Sequence, residues 1–422
     1  MNAPADPHNC CTPSAGDPML SVDEALAQIA AQVTPLPGSQ RVALRDALGR
    51  VLAEDVASRV AVPPYTNSAM DGYAVRGADL ELGSGDGLRL VGEAFAGHAF
   101  AGTLGRGECV RIMTGAVVPD GADTVIMQEA VSVDGDLVRF PPGVHPGDNV
   151  RHAGEDLPAG EVALRAGTRL LPAELGLLAS LGVGEVTVSR RVRVAFFSTG
   201  DELCSIGEPL REGCLYDSNR YTLHGMLTRW GAEVIDLGVI RDEPALIEQA
   251  FRDAAAQADV VITSGGVSVG EADFVKDALD QLGDIGFWRI RMKPGKPLAF
   301  GRFHDGSWFF GLPGNPVSVM VTFYQFVRPA LEKLAGREPK PSLWLRVPCL
   351  DRLKKVPGRT EFQRGILTTG DDGRLAVRST GSQGSGILRS MSVADCFIRL
   401  EAESGNVEAG TLVDVQPFEG VV

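Results

Sequence analysis

The stretch "RVRVAFFSTGDEL" (residues 191–203) decides the fold. From Val194 to Phe197 it is apolar without interruption, and it stops at Gly200 followed by two acids. A strand that faces water on one side alternates apolar with polar residues, whereas an unbroken run reads as a strand covered on both faces. Working outward, "DSNRYTLHGMLTRWG" (217–231) predicts a helix capped by Asp217 and stopped by Gly231, with Leu223, Met226, Leu227 and Trp230 turned inward. "AEVIDLGVI" (232–240) predicts a second strand. A helix follows in "RDEPALIEQAFRDAAAQ" (241–257), with Asp242 as N-cap and Pro244 in the first turn. "ADVVITSGG" (258–266) is a third strand, and "EADFVKDALDQLG" (271–283) is a helix with Phe274, Val275, Ala278, Leu279 and Leu282 on one face. "WFFGLPGNP" (308–316) leads into a helix from Pro316 to Leu334, with Asn315 as its cap. Strands alternating with helices predict a parallel α/β sheet over residues 189–337.

The chain has 422 residues, 44% of them hydrophobic and 22% charged, which suits a multidomain globular protein. The first nineteen residues are rich in Pro, Ala, Ser and Gly and are expected to be a disordered tail; they lack the basic and apolar order of a secretory signal. Residues 21–34 predict an amphipathic helix with Ser21 and Glu24 forming a capping box, and "LRDALGRVLA" (44–53) predicts a second short helix. Residues 20–60 and 156–188 are therefore assigned to a helical linking domain. Between them, residues 61–155 read as an inserted β-rich domain of short alternating segments separated by Gly, Asp and Pro. From 338 to 422 short strands recur between Gly-rich turns, as in a small β-barrel or sandwich.

A net charge of −14 argues against a nucleic-acid surface, which carries a basic stripe. No apolar run reaches the length of a membrane span. The seven cysteines include no CxxC pair and the six histidines no HxxxH spacing, so neither a disulfide framework nor a zinc site is expected, and a reducing cytoplasm is.

Ligands of open parallel sheets bind beyond the carboxyl ends of the strands. There the sequence places Asp201 and Glu202 after the first strand, Asp242 after the second, and Gly265, Gly266, Ser268 and Asp273 after the third. Glycines let backbone N–H groups approach phosphate oxygens, and Ser268 adds a hydroxyl. Carboxylates beside a phosphate repel it unless Mg²⁺ bridges them. Asp242 and Glu271 would equally serve as plain helix caps. Downstream, "KPGKP" holds Lys293 and Lys296 between Pro294 and Pro297, while "EFQRG" and "GSQGSG" offer Arg364 and Ser385. Cations and a hydroxyl of this kind suit an oxyanion. "NSAMDGYAV" (67–75) sets Asp71 in a turn whose Asn67, Ser68 and Gly72 serve geometry, leaving the carboxylate unexplained.

Read in order, "NSAMDGYAV", "RIMTGA", "GED" (154–156), "FSTGDEL", "SGGVSVGEAD", "KPGKP", "GLPGNP" and "FQRG" resemble the MoeA, or molybdopterin molybdenumtransferase, family, which includes the E domain of gephyrin. The resemblance runs from about residue 18 to the C-terminus. It implies an enzyme of molybdenum cofactor biosynthesis. Such enzymes take adenylylated molybdopterin and molybdate, insert the metal at the dithiolene and release AMP in a Mg²⁺-dependent hydrolysis. It also implies an elongated homodimer of four-domain subunits, the active cleft being shared between subunits. Carried over motif by motif, Gly265, Gly266 and Ser268 would contact the pterin-phosphate. Asp201, Glu202, Asp242 and Asp273 would form the acidic cluster, with Glu202, Asp242 and Asp273 on the metal. Lys293, Lys296, Pro297, Arg364 and Ser385 would hold molybdate, and Asp71, Thr114 and Asp156 would come from the first half of the chain. Other cofactor-biosynthesis proteins and molybdoenzymes would be transient partners. Arg289 departs from the pattern, standing where some relatives are expected to have Lys. Tungstate insertion and a gephyrin-like scaffolding role are the alternatives that the same resemblance leaves open.

Overall fold

The computed structural model describes residues 19–265, 273–337 and 342–418. The chain divides into two compact units, residues 1–40 with 189–422, and residues 41–188.

In the first unit, α1 (Val22–Gln32) carries the expected capping box: Glu24 N–H donates to Ser21 Oγ at 3.1 Å and Ser21 N–H to Glu24 Oε2 at 2.7 Å. The strands β1 (Arg193–Thr199), β2 (Glu233–Ile240) and β3 (Val260–Ser264) alternate with helices α2 (Ser218–Trp230) and α3 (Pro244–Gln257). They are followed by α4 (Asp273–Leu282), β4 (Gly283–Arg289), β5 (Pro297–Phe303) and β6 (Trp308–Leu312). The sheet order is β2-β1-β3-β6-β5-β4. Alternate residues of β1 explain why its run is unbroken. Val194 and Phe196 enter the core shared with α1 and α2, whereas Ala195 and Phe197 pack with Ile247 and Phe251 of α3. Both faces are buried, so neither position of the period-two pattern tolerates a polar residue.

Three expectations change here. The sheet is mixed: β2, β1, β3 and β6 run parallel, but β5 lies antiparallel to both β6 and β4. The turn joining β5 to β6 spans only residues 304–307, too short for the crossover that parallel neighbours require. Asp242 does not cap α3, because Glu243 occupies that position and makes no side-chain capping bond. Asn315 stands at the cap of the next helix, likewise without a side-chain bond. That helix runs as α5 (Pro316–Thr322), a π-helical stretch from Phe323 to Val327, and α6 (Arg328–Leu334). Pro329 has no N–H to continue the ordinary ladder, which accounts for the wider turn.

The helix α1, assigned from sequence to the linking domain, packs in this structure against the α/β core. Val22, Ala25, Ile29 and Val33 pack among Phe326, Leu331 and Leu334, and Leu36 N–H donates to Leu334 O at 2.8 Å. The C-terminal segment of the same unit contains β7 (Leu345–Pro348), β8 (Thr360–Thr369), β9 (Leu375–Ser379), β10 (Cys396–Leu400) and β11 (Leu412–Pro417). They pair β7-β11-β10-β8-β9, and the short strand Met292–Lys293 adds to β8. Just beyond β7, Leu350 N–H donates to Val377 O of β9 at 2.8 Å, so the sheet curls back on itself around Cys349, Val377, Ile398 and Val415.

The second unit holds a six-stranded sheet in the order Thr124–Met127, Gly72–Val75, Glu108–Ile112, Leu88–Ala94, Leu137–Arg139, Ser132–Asp134. A short helix, Leu80–Ser84, interrupts the β pattern. The expected helix at 44–53 is absent; only Leu44–Asp46 forms one 3₁₀ turn. Leu52 N–H instead donates to Thr168 O, and Val51 bridges to Arg169, so pairing between segments distant in sequence wins over local propensity. Within 156–188 the helical part is Pro172–Ser180, flanked by strands Val162–Leu164 and Glu185–Ser189.

Candidate active site

Strands β2 and β3 lie on opposite sides of β1, which makes the carboxyl end of β1 and β3 the switch point of the sheet. Three loops abut there. Gly265, after β3, has φ +93°, and a side chain on it would meet Thr199 O at 2.9 Å. Gly314, after β6, packs beside it, a Cβ there standing 3.8 Å from Gly265 Cα. Gly265 is thus the position at which the convergence of the three backbones requires glycine. From this junction the loop after β1 continues to Asp201, whose Oδ1 accepts from Asp242 N–H at 3.4 Å. Asp201, Glu202 and Asp242 are all exposed. Gly266, Ser268 and the side chain of Asp273 lie outside the described residues; the backbone of Asp273 opens α4.

Several buried polar atoms at this edge have no protein partner: Thr199 Oγ1, Asp217 Oδ2 and Asn219 Oδ1. Asp217 does cap α2 as expected, accepting from Arg220 N–H with Oδ1 at 3.1 Å. Asn219 donates to Gly314 O at 2.7 Å and so ties α2 to the convergent loops. Buried oxygen atoms are normally paired, so this set is suited to a polar ligand. Sequence reading gave Asp217 only a capping role and passed over Asn219; the Asp-Ser-Asn start of a helix is their one local signal.

Next to the junction lies a cleft of about 390 Å³, lined by Lys293, Lys296, Pro297 and Ser385 and also by Gly314, Ser318, Gln383 and Arg359. Lys293 Nζ sits 3.4 Å from Glu361 Oε1. Arg364 is not at the surface of this cleft. It is 1% exposed, donates from Nε to Ser390 Oγ at 3.0 Å and from a terminal nitrogen to Gly384 O at 3.0 Å, and burial pulls its pKa down to about 10. It supports the loop that carries Ser385. Arg289 ends β4, with its Nε buried and unpartnered.

In the second unit, Asp71 and Thr114 are brought together across 43 residues of sequence. Asp71 Oδ1 accepts from both the Thr114 hydroxyl and the Thr114 N–H, each at 2.7 Å, and these bonds hold its carboxyl below the usual range. Upstream, Ser68 Oγ donates to Met70 O at 2.5 Å and fixes the turn. Asp156 is exposed, and its N–H donates to Val62 O at 3.1 Å. Among the described residues, no group of three or more His, Cys, Asp or Glu side chains is gathered to hold a metal ion. No helix among them is long and apolar enough to cross a membrane.

Comparison with known proteins bears directly on these elements. Residues 20–182 match the MoeA N-terminal region (domain I and II), 195–333 a probable molybdopterin binding domain, and 346–418 the MoeA C-terminal region (domain IV). The molybdopterin molybdenumtransferase of Haemophilus influenzae is 46% identical over 403 residues, covering 95% of this chain and 99% of that protein. The chain belongs to the MoeA family. A crystal structure of a MoeA protein from Pyrococcus horikoshii aligns with a TM-score of 0.82 at 30% identity, covering 95% of this chain and all of that one. Gephyrin of Dictyostelium discoideum is 34% identical, with the match spanning 62% of its length. The MoeA assignment thus covers both units, including the antiparallel strands and the C-terminal sheet that the sequence left coarse.

Proposed function

We propose that this protein is a molybdopterin molybdenumtransferase that inserts molybdate into adenylylated molybdopterin and releases AMP. The observation that carries this reading is the cleft lined by Lys293, Lys296 and Ser385 together with Gly314, beside the Gly265 junction. A tetrahedral dianion is favoured there by ammonium groups and a hydroxyl donor, and the glycine junction leaves room for a phosphate against backbone.

Oxygen atoms of the kind Mg²⁺ prefers stand along the carboxyl edge: the Asp201 carboxylate accepts from the backbone N–H of Asp242, and Thr199 Oγ1 and Asp217 Oδ2 are buried without partners. Glu202, Asp242 and Asp273 are the residues proposed to hold the ion, which when bound would offset the negative charge of a phosphoanhydride. Asp201 is proposed to accept a proton from the attacking water as the anhydride P–O bond breaks, giving AMP and the phosphate of the pterin. Gly265, Gly266 and Ser268 would hold that phosphate. Asp71, Thr114 and Asp156 are proposed to act on the site of a second copy in a cytoplasmic homodimer, the Thr114 bonds keeping Asp71 ionised and fixed.

Purified protein given adenylylated pterin, Mg²⁺ and molybdate, with tungstate in parallel, is expected to release AMP and yield cofactor that activates a molybdoenzyme. Folded protein that makes neither product would overturn the reading. The dimer has its own test in subunit mixing. Inactive Asp71→Ala and Asp242→Ala chains, combined by random exchange, should regain about a quarter of wild-type activity, because half the dimers would contain one intact site. No recovery would refute the shared site.

A further inference from the structure

A cleft that attracts anions in a chain of net charge −14 depends on the positive charge its lining delivers. Lys293 shares its charge with Glu361, a carboxylate whose side chain is only 5% exposed and which also accepts from Gln363 Nε2 at 3.0 Å. Arg364 is committed below the surface to Ser390 and Gly384. Among the described residues, two cationic side chains of the lining have no ion pair: Lys296 and Arg359. Arg359 is exposed and stands directly before Thr360. Thr360 N–H donates to Arg291 O at 3.0 Å, and Thr360 pairs in register with Met292. The backbone beneath Arg359 is therefore fixed against the Lys-Pro turn that presents Lys296.

We propose that Arg359 is a specificity-determining residue of this cleft, its guanidinium binding two oxygens of the tetrahedral oxyanion that Lys296 holds from the neighbouring turn. The inference rests on the proposed function for the identity of the oxyanion as molybdate, but not for its charge or shape. A planar fork that donates two parallel bonds fixes the orientation of a tetrahedral anion, whereas an ammonium holds it as a point charge.

The test is calorimetric titration of wild type, Arg359→Gln and Arg359→Lys with molybdate, sulfate and phosphate at two ionic strengths, alongside AMP release. Loss of one charge-assisted contact should raise the molybdate Kd about tenfold in Arg359→Gln and weaken its salt dependence. KM for molybdate should rise with kcat unchanged, and Arg359→Lys should recover part of the affinity. An unchanged melting temperature would separate this from a folding defect, since the side chain is exposed. Arg359→Gln that binds every oxyanion like wild type overturns the inference while leaving the enzymatic reading standing. Wild type that binds sulfate or phosphate through Arg359 but releases no AMP supports the inference and sinks that reading. Wild type that binds no tetrahedral oxyanion overturns the inference outright.

Discussion

Gly72→Ala is the sharpest probe of how Asp71 is held. A Cβ at Gly72 would stand 1.9 Å from Ile126 O, where real contacts begin at 3.0 Å, and the obstacle is backbone rather than a movable side chain. The strand Thr124–Met127 would have to withdraw by about 1.1 Å. That breaks the ladder at the Gly72–Met127 and Tyr73–Ile126 positions, and Gly72 also pairs with Ile112 on its other side. Two lost backbone hydrogen bonds at about 1 kcal/mol each, with about 1 kcal/mol of overpacking, give a destabilisation of about 3 kcal/mol. For a unit of this size that is a fall of roughly 6–12 °C in Tm. Gly176→Ala is the control. Gly176 is exposed in the helix Pro172–Ser180 with nothing within 4 Å of its Cβ position, so alanine there should stabilise by about 0.5–1 kcal/mol. Thermal melting followed by circular dichroism, with hydrogen exchange to localise the loss to residues 41–188, measures both. A Gly72→Ala protein that melts with wild type would refute the close approach and the placement of Asp71 built on it.

Asp71→Asn should flatten the acid limb of the stability profile. A carboxyl held below its ordinary range contributes stability above that range and loses it as pH falls through the folded value, so the two proteins should converge in acid; a constant gap from pH 7 to 2 would contradict this. Burial pushes the Asp259 carboxyl up, but bonds from Arg190 at 2.7 and 2.8 Å and from Arg193 N–H outweigh it and leave the pKa lowered. Asp259→Asn should cost about 3 kcal/mol at pH 7 in urea unfolding, with the gap narrowing on acidification. Hydrogen bonds from Arg211, backbone first and guanidinium second, pull the Cys204 thiol down, whereas burial pushes Cys109 up to about 12. Both thiols are buried, so alkylation of either waits on local opening; once opened, mass-spectrometric mapping at pH 8 should find Cys204 modified before Cys109, and the reverse order would contradict the assignment.

What could be read from sequence was whatever is decided within a few residues of itself. The box of Ser21 and Glu24, the Asp217 cap and the unbroken run of β1 each follow from local geometry, and each is found in the structure. The antiparallel β4 and β5 were not legible, because Pro294 and Pro297 punctuate the segment and Gly286 and Gly301 dilute its apolar pattern. Gly301 is instead required by close approach, since a Cβ there would meet Asp284 O at 2.1 Å, a fact that belongs to the pair. The helix expected at 44–53 failed for a related reason, as its partners Thr168 and Arg169 lie over a hundred residues away. Among site residues, the type of Arg364 was legible but its burial was not, and Arg359, a few residues earlier, gave no local hint of reaching the cleft.

The early joining of α1 to the α/β core has a consequence for how the protein is made. Residues 41–188 form a unit whose contacts are all present once that stretch has been synthesised, so it can fold while the rest of the chain is still emerging. The segment 19–40 cannot. Its apolar face needs Phe326, Leu331 and Leu334, and Leu20 pairs with Ile290, so Val22, Ala25, Ile29 and Val33 must wait through about 300 further residues of translation before they are covered. At ordinary elongation rates that interval is roughly 15–60 s, long enough for an exposed amphipathic helix to engage a chaperone or another nascent chain.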